Sequence, residues 1–353
     1  MRQSSRLGAV RLRGLTLIEL MIAIVLGLLI TMVAITVLLS NRQVYMATEN
    51  LGRIQENTRT AFELMARDVR EAAGNACESD LPVVNTLNNP TANWWTDFSG
   101  GVTGYDGATA ITDAAFGAAG SVDGSRVAGT DAIDLKSAVS AGITIEDHQP
   151  ASADFKLNTT AHGISPGDVV MACDFDHAAI FQVTNANPGT NPNVVHNTGG
   201  SVSPGNSTNC LSMTGACSPT GYAFGCKGGE APPSGCAPAD RWPAQIAKLR
   251  MTRWYVGHNP RGRQSLYQST IQNSGGVLSK VSNEVVEGVR DMQLTYLLSG
   301  AAGYVPATTG LDWSRVTAVR INMVMEGEDR VGTDGNVLER DLIHTVAIRN
   351  RAP

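Results

Sequence analysis

Hydrophobic positions along the chain fall into three regimes. The first is residues 15–39, an apolar run with a single charge, Glu19. Coiled as a helix, that run reaches about 37 Å at ~1.5 Å per residue, enough to cross a hydrocarbon core of about 30 Å. The second is residues 40–74, which hold no proline. There Val44, Ala47, Leu51, Ile54, Thr58, Ala61, Met65, Val69 and Ala72 recur at spacings of three and four, one narrow and mostly apolar helical face. Glu49–Arg53 and Glu63–Arg67 stand at the favourable i, i+4 order on other faces. Gly52 weakens the helix locally by about 1 kcal/mol. Gly74 supplies a C-terminal stop, with Arg67 and Arg70 in the final turns. The pattern predicts one helix of about 60 residues, membrane-embedded over 15–39 and amphipathic over 40–74.

The third regime, residues 75–353, has the period of strands. Residues 75–129 are rich in Gly, Ala, Asn, Asp and Thr and read as long loops, with Trp94-Trp95 as an anchor tucked onto the core. Strand signals then accumulate at 132–136, at 143–145, and at 169–172 after a turn at 164–168. A further run at 179–183 completes a hairpin. Residues 185–240 form a second loop-rich stretch. The final third is the clearest: 249–256 and 265–271 flank the turn 259–263, followed by 284–296, 315–325 and 342–351. The fold class expected is α+β, a long N-terminal helix packed on an antiparallel sheet domain with long loops.

Charge orients this plan. Arg2, Arg6, Arg11 and Arg13 precede Gly14 with no acid among them, which holds the start of the apolar run in the cytoplasm and sends the rest across the inner membrane. Without those four arginines, Lys+Arg falls from 27 to 23 against 32 Asp+Glu, a net charge of −9. Such a balance argues against nucleic acid as the main partner. Cys77, Cys173, Cys210, Cys217, Cys226 and Cys236 all lie on the exported side, where disulfides persist. Four of them fall in a segment rich in Gly, Pro, Ser and Asn, at spacings of seven, nine and ten that do not match a zinc ribbon. The reading is six disulfide-forming cysteines, with the pairing open.

Glu19 is the odd residue, because a carboxylate inside a membrane helix costs roughly 2.5–3.5 kcal/mol on insertion scales. One turn above the start of the run, it is placed to meet a cation such as a free α-amine on a neighbouring chain. A Sec signal peptide needs its apolar core before the cleavage site, whereas here the basic segment meets Gly14 directly. A plain signal anchor fits the run but leaves Glu19 unexplained.

The stretch Gly14-Leu15-Thr16-Leu17-Ile18-Glu19-Leu20 resembles the prepilin signature of type IV pilins and type II secretion pseudopilins. The resemblance implies cleavage after Gly14 by a prepilin peptidase, N-methylation of Leu15, and an assembly role for Glu19 through a neighbour's amine. The family's commoner residue at the new N-terminus is Phe, where this chain has Leu15. Residues 286–289 with Met292-Gln293, then 319–321, then 346–351, resemble the PilW-type minor pilins. The implied fold is a long N-terminal helix on an antiparallel sheet. The implied partners are other minor pilins, the major pilin, the inner-membrane assembly platform and a tip adhesin. The implied location is the inner membrane as a single pass with a periplasmic C-terminus, and then the pilus. The implied role is priming of pilus assembly, with twitching motility and adhesion.

Two alternatives stay open at this point: a J-type pseudopilin of a type II secretion system, and a membrane-anchored periplasmic binding protein or enzyme. Catalytic signals are poor. His148, His162, His177, His196, His258 and His344 are scattered, with no i, i+4 pair and no H-E-x-x-H. The chain has no P-loop or G-x-G-x-x-G motif. His177 beside Asp174 and Asp176 reads as a polar turn. Glu326, Glu328, Asp329 and Asp334 read as a solvated hairpin tip, with a calcium ion near Asp329 and Asp334 left open. No enzyme activity and no cofactor are expected.

Overall fold

The computed structural model describes residues 16–74, 76–77, 81–98, 100–213, 222–226, 241–332 and 334–351. One helix, α1, runs Leu17–Glu71, and sixteen strands follow among the described residues. The chain divides into two compact units: Met1–Arg53 with Gly327–Leu338, and Ile54–Glu326 with Glu339–Pro353.

In the larger unit the sheet built around β10 (Gln245–His258) sets the frame. Along one edge β10 pairs with β3 (Ala132–Val139), and its first residues pair across the opposite edge with β6 (Val169–Cys173), so that Lys248 meets Val139 and Val170 at once. Along its other edge it pairs with β11 (Gln264–Ser274), which pairs in turn with β12 (Val277–Glu287). β7 (Ala178–Gln182) extends the sheet beyond β6, and β1 (Val83–Asn85) and β2 (Val102–Tyr105) close its edges. All of these pairings are antiparallel except that of β1 with β7. β1 and β2 fall inside 75–129, read from sequence as loop. At three and four residues they are too short to impose a visible period of two.

A second sheet has the order β14-β13-β15-β16, from β13 (Val289–Leu298), β14 (Tyr304–Pro306), β15 (Val316–Glu326) and β16 (Glu339–Ala347). Sequence reads 284–296 as one continuous stretch. Instead the chain leaves β12 and enters β13 in the other sheet at Gly288, whose φ is +84°. A Cβ there would lie 2.6 Å from the Glu326 carbonyl oxygen, so only glycine allows the passage. Its amide donates to the Gln264 carbonyl and its carbonyl accepts from the Glu326 amide, which stitches the two sheets together.

The third sheet, β4-β5-β9-β8, joins β4 (Ile145–Gln149), β5 (Asp154–Leu157), β8 (Asn185–Ala186) and β9 (Asn193–Val195). Phe155, Phe181, Phe224 and Ile246 are buried in one cluster beside it. A neighbouring cluster holds Leu87, Trp94, Met171, Ile180 and Met251. Trp94 is buried as a loop anchor, and its ring carries the Arg253 guanidinium 4.5 Å from the centroid.

The part of α1 that belongs to this unit buries Ile54, Ala61, Met65 and Val69, and Ala72 just past its end is buried too, five members of the stripe read from sequence. Between them sits Asp68, equally buried. Its Oδ2 accepts from Trp254 Nε1 at 3.0 Å and Gln268 Nε2 at 2.9 Å, and its Oδ1 lies 3.1 Å from Arg250 Nη2. Asn57 donates to the Glu287 carbonyl, and Phe62 packs 5.2 Å from the His344 ring. At the C-terminal end, Asn350 donates to the carbonyls of Glu71 and Ala72, groups that no intrahelical donor reaches. A disulfide then ties Cys77, just past the end of α1, to Cys173 in β6.

Candidate assembly interface

The first half of α1 presents apolar side chains on every side. Leu17, Ile18, Leu20, Met21, Ile22, Ile24, Val25 and Leu26 are all exposed, as are their counterparts through Leu39. An ordinary amphipathic helix hides one stripe; a helix apolar all round needs lipid or other helices about it. By length and composition it is able to cross a membrane. The hydroxyls in the run are turned inward to its own backbone. Thr31 donates to the Leu28 carbonyl at 2.9 Å and Thr36 to the Met32 carbonyl at 2.5 Å, so neither leaves a polar group needing water.

Glu19 is the one charge in this surface. Gly14 and Leu15, the expected cleavage and methylation positions, lie outside the described residues. From Thr16 onward the local chemistry is a capping box. Thr16 Oγ1 accepts from the Glu19 amide at 3.3 Å, while Glu19 Oε2 accepts from the Thr16 amide at 3.0 Å and from Thr16 Oγ1 at 3.1 Å. Two orphan amides at the helix start are thereby satisfied, and the carboxylate stands at the positive end of the helix dipole. The residue that sequence reads as a partner for a neighbour's amine thus already has a local role in starting α1.

Further along this unit, Asn50 is buried and engaged on both sides of its amide. Its Nδ2 donates to the Met46 carbonyl and to Asp329 Oδ2, and its Oδ1 accepts from the amides of Glu328 and Asp329. Arg53 bridges Glu49 and Glu328, each at 2.8 Å. The acidic tip read as merely solvated is therefore clasped to α1. Asp334 is occupied with Asn336, whose amide and side chain both donate to it. Among the described residues, no group of three or more His, Cys, Asp or Glu is placed to hold a metal ion. Asn50 escapes a sequence reading because it falls off the apolar stripe and its partners Glu328 and Asp329 lie near the other end of the chain.

The remaining chemistry-bearing side chains serve the core. His148 and His196 face each other with Nε2 atoms 3.0 Å apart, and His148 Nδ1 accepts from the Phe224 amide. Burial among aromatic rings pushes His148 well below the ordinary histidine range and His196 down to about 3. The turn of Asp174 and His177 is closed by Tyr222, which donates to the Asp174 carboxylate, while His177 Nε2 meets the Leu211 carbonyl at 2.8 Å. Deeper still, Arg253 forms a fork on Asp134, Nε to Oδ1 at 2.6 Å and Nη2 to Oδ2 at 2.8 Å. Cys210 and Cys226 are disulfide-bonded as well. Cys217 and Cys236 lie outside the described residues.

Residues 253–346 match the model of the family described as PilW, Type IV Pilus-assembly protein W. The match begins in β10 and ends in β16, so it takes in the Gly288 crossing and the edge-to-edge run of the second sheet. Two of the three segments that carry the resemblance, 286–293 and 319–321, lie wholly inside it; 346–351 only begins there. No curated protein and no solved structure matches the chain. The family match supports a PilW-type type IV pilus protein, one related to pilus assembly.

Proposed function

We propose that this pilus-assembly protein is a structural minor pilin, inserted into the inner membrane as a prepilin and later drawn into the filament at or near its tip. The observation that carries the reading is the circumference of α1 through Leu39, apolar on every side but for the single charge of Glu19, in a chain whose C-terminal sheet region matches PilW. Lipid satisfies that surface before assembly, and neighbouring helices satisfy it afterwards. Prepilin peptidase cuts after Gly14, and Leu15 becomes the methylated N-terminus. Glu19 then exchanges its contacts with Thr16 for a neighbour's amine, which fixes axial register because a desolvated carboxylate strongly favours the paired geometry. Partners are other minor pilins, the major pilin, the inner-membrane platform and a tip adhesin. Twitching motility and adhesion follow from priming of assembly, and the role is structural rather than catalytic.

Replacing Glu19 tests the proposal. Glu19→Ala should leave the chain in the membrane fraction and lower its content in sheared pili at least fivefold. Thr16→Ala removes only the hydroxyl contacts with Glu19 and leaves the carboxylate in place, which separates the two roles. Normal incorporation of Glu19→Ala sinks the assigned role, and loss of membrane insertion shows that Glu19 acts on the helix instead.

A further inference from the structure

A cavity of about 220 Å³ opens where the chain leaves α1, within the larger unit. Its wall is apolar, from Leu81, Phe98, Met171 and Ile180, and its polar groups include Lys136 and Arg351. Among the described residues that line it there is no carboxylate side chain.

Lys136 is the unusual member. It rises from β3 with only 4% of its surface exposed. Its ammonium donates to the Asp97 carbonyl and lies 5.8 Å from the Phe98 ring centroid. An ammonium has three protons to donate, so a single carbonyl leaves capacity at a buried charge. Burial pulls its pKa below the ordinary lysine value; Asp134 and Asp97 oppose the shift and Arg253 adds to it. Arg351 is held in place by the carbonyls of Trp313, Val316 and Gly100, which fix where its charge stands in the cavity wall. A buried ammonium gains most from an anion that reaches it through a water-poor wall.

We propose that this cavity is a binding site for a small organic carboxylate with a short apolar tail. The carboxylate sits at Lys136, within the field of Arg351, and the tail lies along Leu81, Phe98 and Met171. The inference is independent of the pilus reading, since it uses no residue of the exposed half of α1. Its position beside Ala73 and Gly74 makes the ligand a brace for the point where α1 gives way to the sheet domain.

Titration calorimetry on the full chain in detergent micelles tests it with sodium butyrate, which stays in water. Butyrate should bind saturably at one site, and butyramide, the same shape without the charge, at least tenfold more weakly. Lys136→Met should weaken butyrate at least tenfold while Lys136→Arg keeps it within threefold. The butyramide comparison uses the unaltered chain, so it decides the matter even if Lys136→Met fails to fold. Absence of saturable butyrate binding, equal binding of butyramide, or undiminished binding to a folded Lys136→Met overturns the site.

Discussion

A carboxylate on the buried face of an amphipathic helix is costly unless it is fully engaged, and Asp68 has three partners waiting in β10 and β11: Trp254, Gln268 and Arg250. Asp68→Ala strands those groups and should destabilise the sheet domain by about 3–5 kcal/mol in urea denaturation; a loss below about 1 kcal/mol contradicts the anchoring role. Nothing in the spacing of the stripe reveals this, because a lone acid at a helix position reads as solvent-facing until its strand partners, far along the chain, are known. His148 and His196 make a second statement about the same core. His196 is held down at about 3 against an ordinary 6.5, so the unfolded chain binds more protons between those values. Its contribution is present above pH 6.5 and is lost as pH falls toward 3. Asp131 works the other way: burial raises it to about 6, so its contribution is present below 3.8 and is lost as pH rises through 6. Comparing variants separates the two. His196→Leu should flatten the dependence of stability on pH between 6 and 4 by about 1.4 kcal/mol per pH unit, measured by urea unfolding across that range. An unchanged slope removes the buried neutral pair from the account.

Elements divide by how strongly a period marks them. β15 alternates from Val319 to Glu326, and its burial follows that alternation after the adjacent buried pair Ala318 and Val319, so most of 315–325 is legible residue by residue. The β10–β11 hairpin is legible from Asn259 through Arg263, although both strands run longer than their apolar stretches because neighbours on either edge continue the ladder. The break at Gly288 is hidden, since the residues on both sides have the same strand-like composition and only the crowding by Glu326 dictates the turn. Likewise Asn350 and Arg351 look like the end of a strand, yet they form a 3₁₀ turn that caps α1 and gathers the carbonyls of Trp313 and Val316. The covalent counterpart of that cap is Cys77–Cys173, which closes a loop across a sequence separation of 96. The paired change Cys77→Ser with Cys173→Ala should cost about 3–5 kcal/mol by loss of that loop constraint, read by urea denaturation. Reducing agent should cost the unaltered chain at least as much, because it opens the links of Cys210 and Cys226 too.

At the scale of the whole molecule the chain joins two surfaces with opposite needs. The larger unit buries its own apolar clusters and a paired Arg253–Asp134 fork, and forms a compact unit by itself. The exposed first half of α1 has no such closure and is complete only in lipid or among other helices. That contrast is readable from the apolar run 15–39 with its one acid, and residues 253–346 match the model of the PilW family. In the function proposed above, the same chain is stored in the membrane and then moved, after processing, into the filament. Intact-mass measurement on protein recovered from sheared pili tests this most directly. The expected mass is that of a chain lacking residues 1–14, carrying one methyl group on the Leu15 amine, with all six cysteines oxidised. A mass that retains residues 1–14, or absence of the chain from sheared pili, contradicts it.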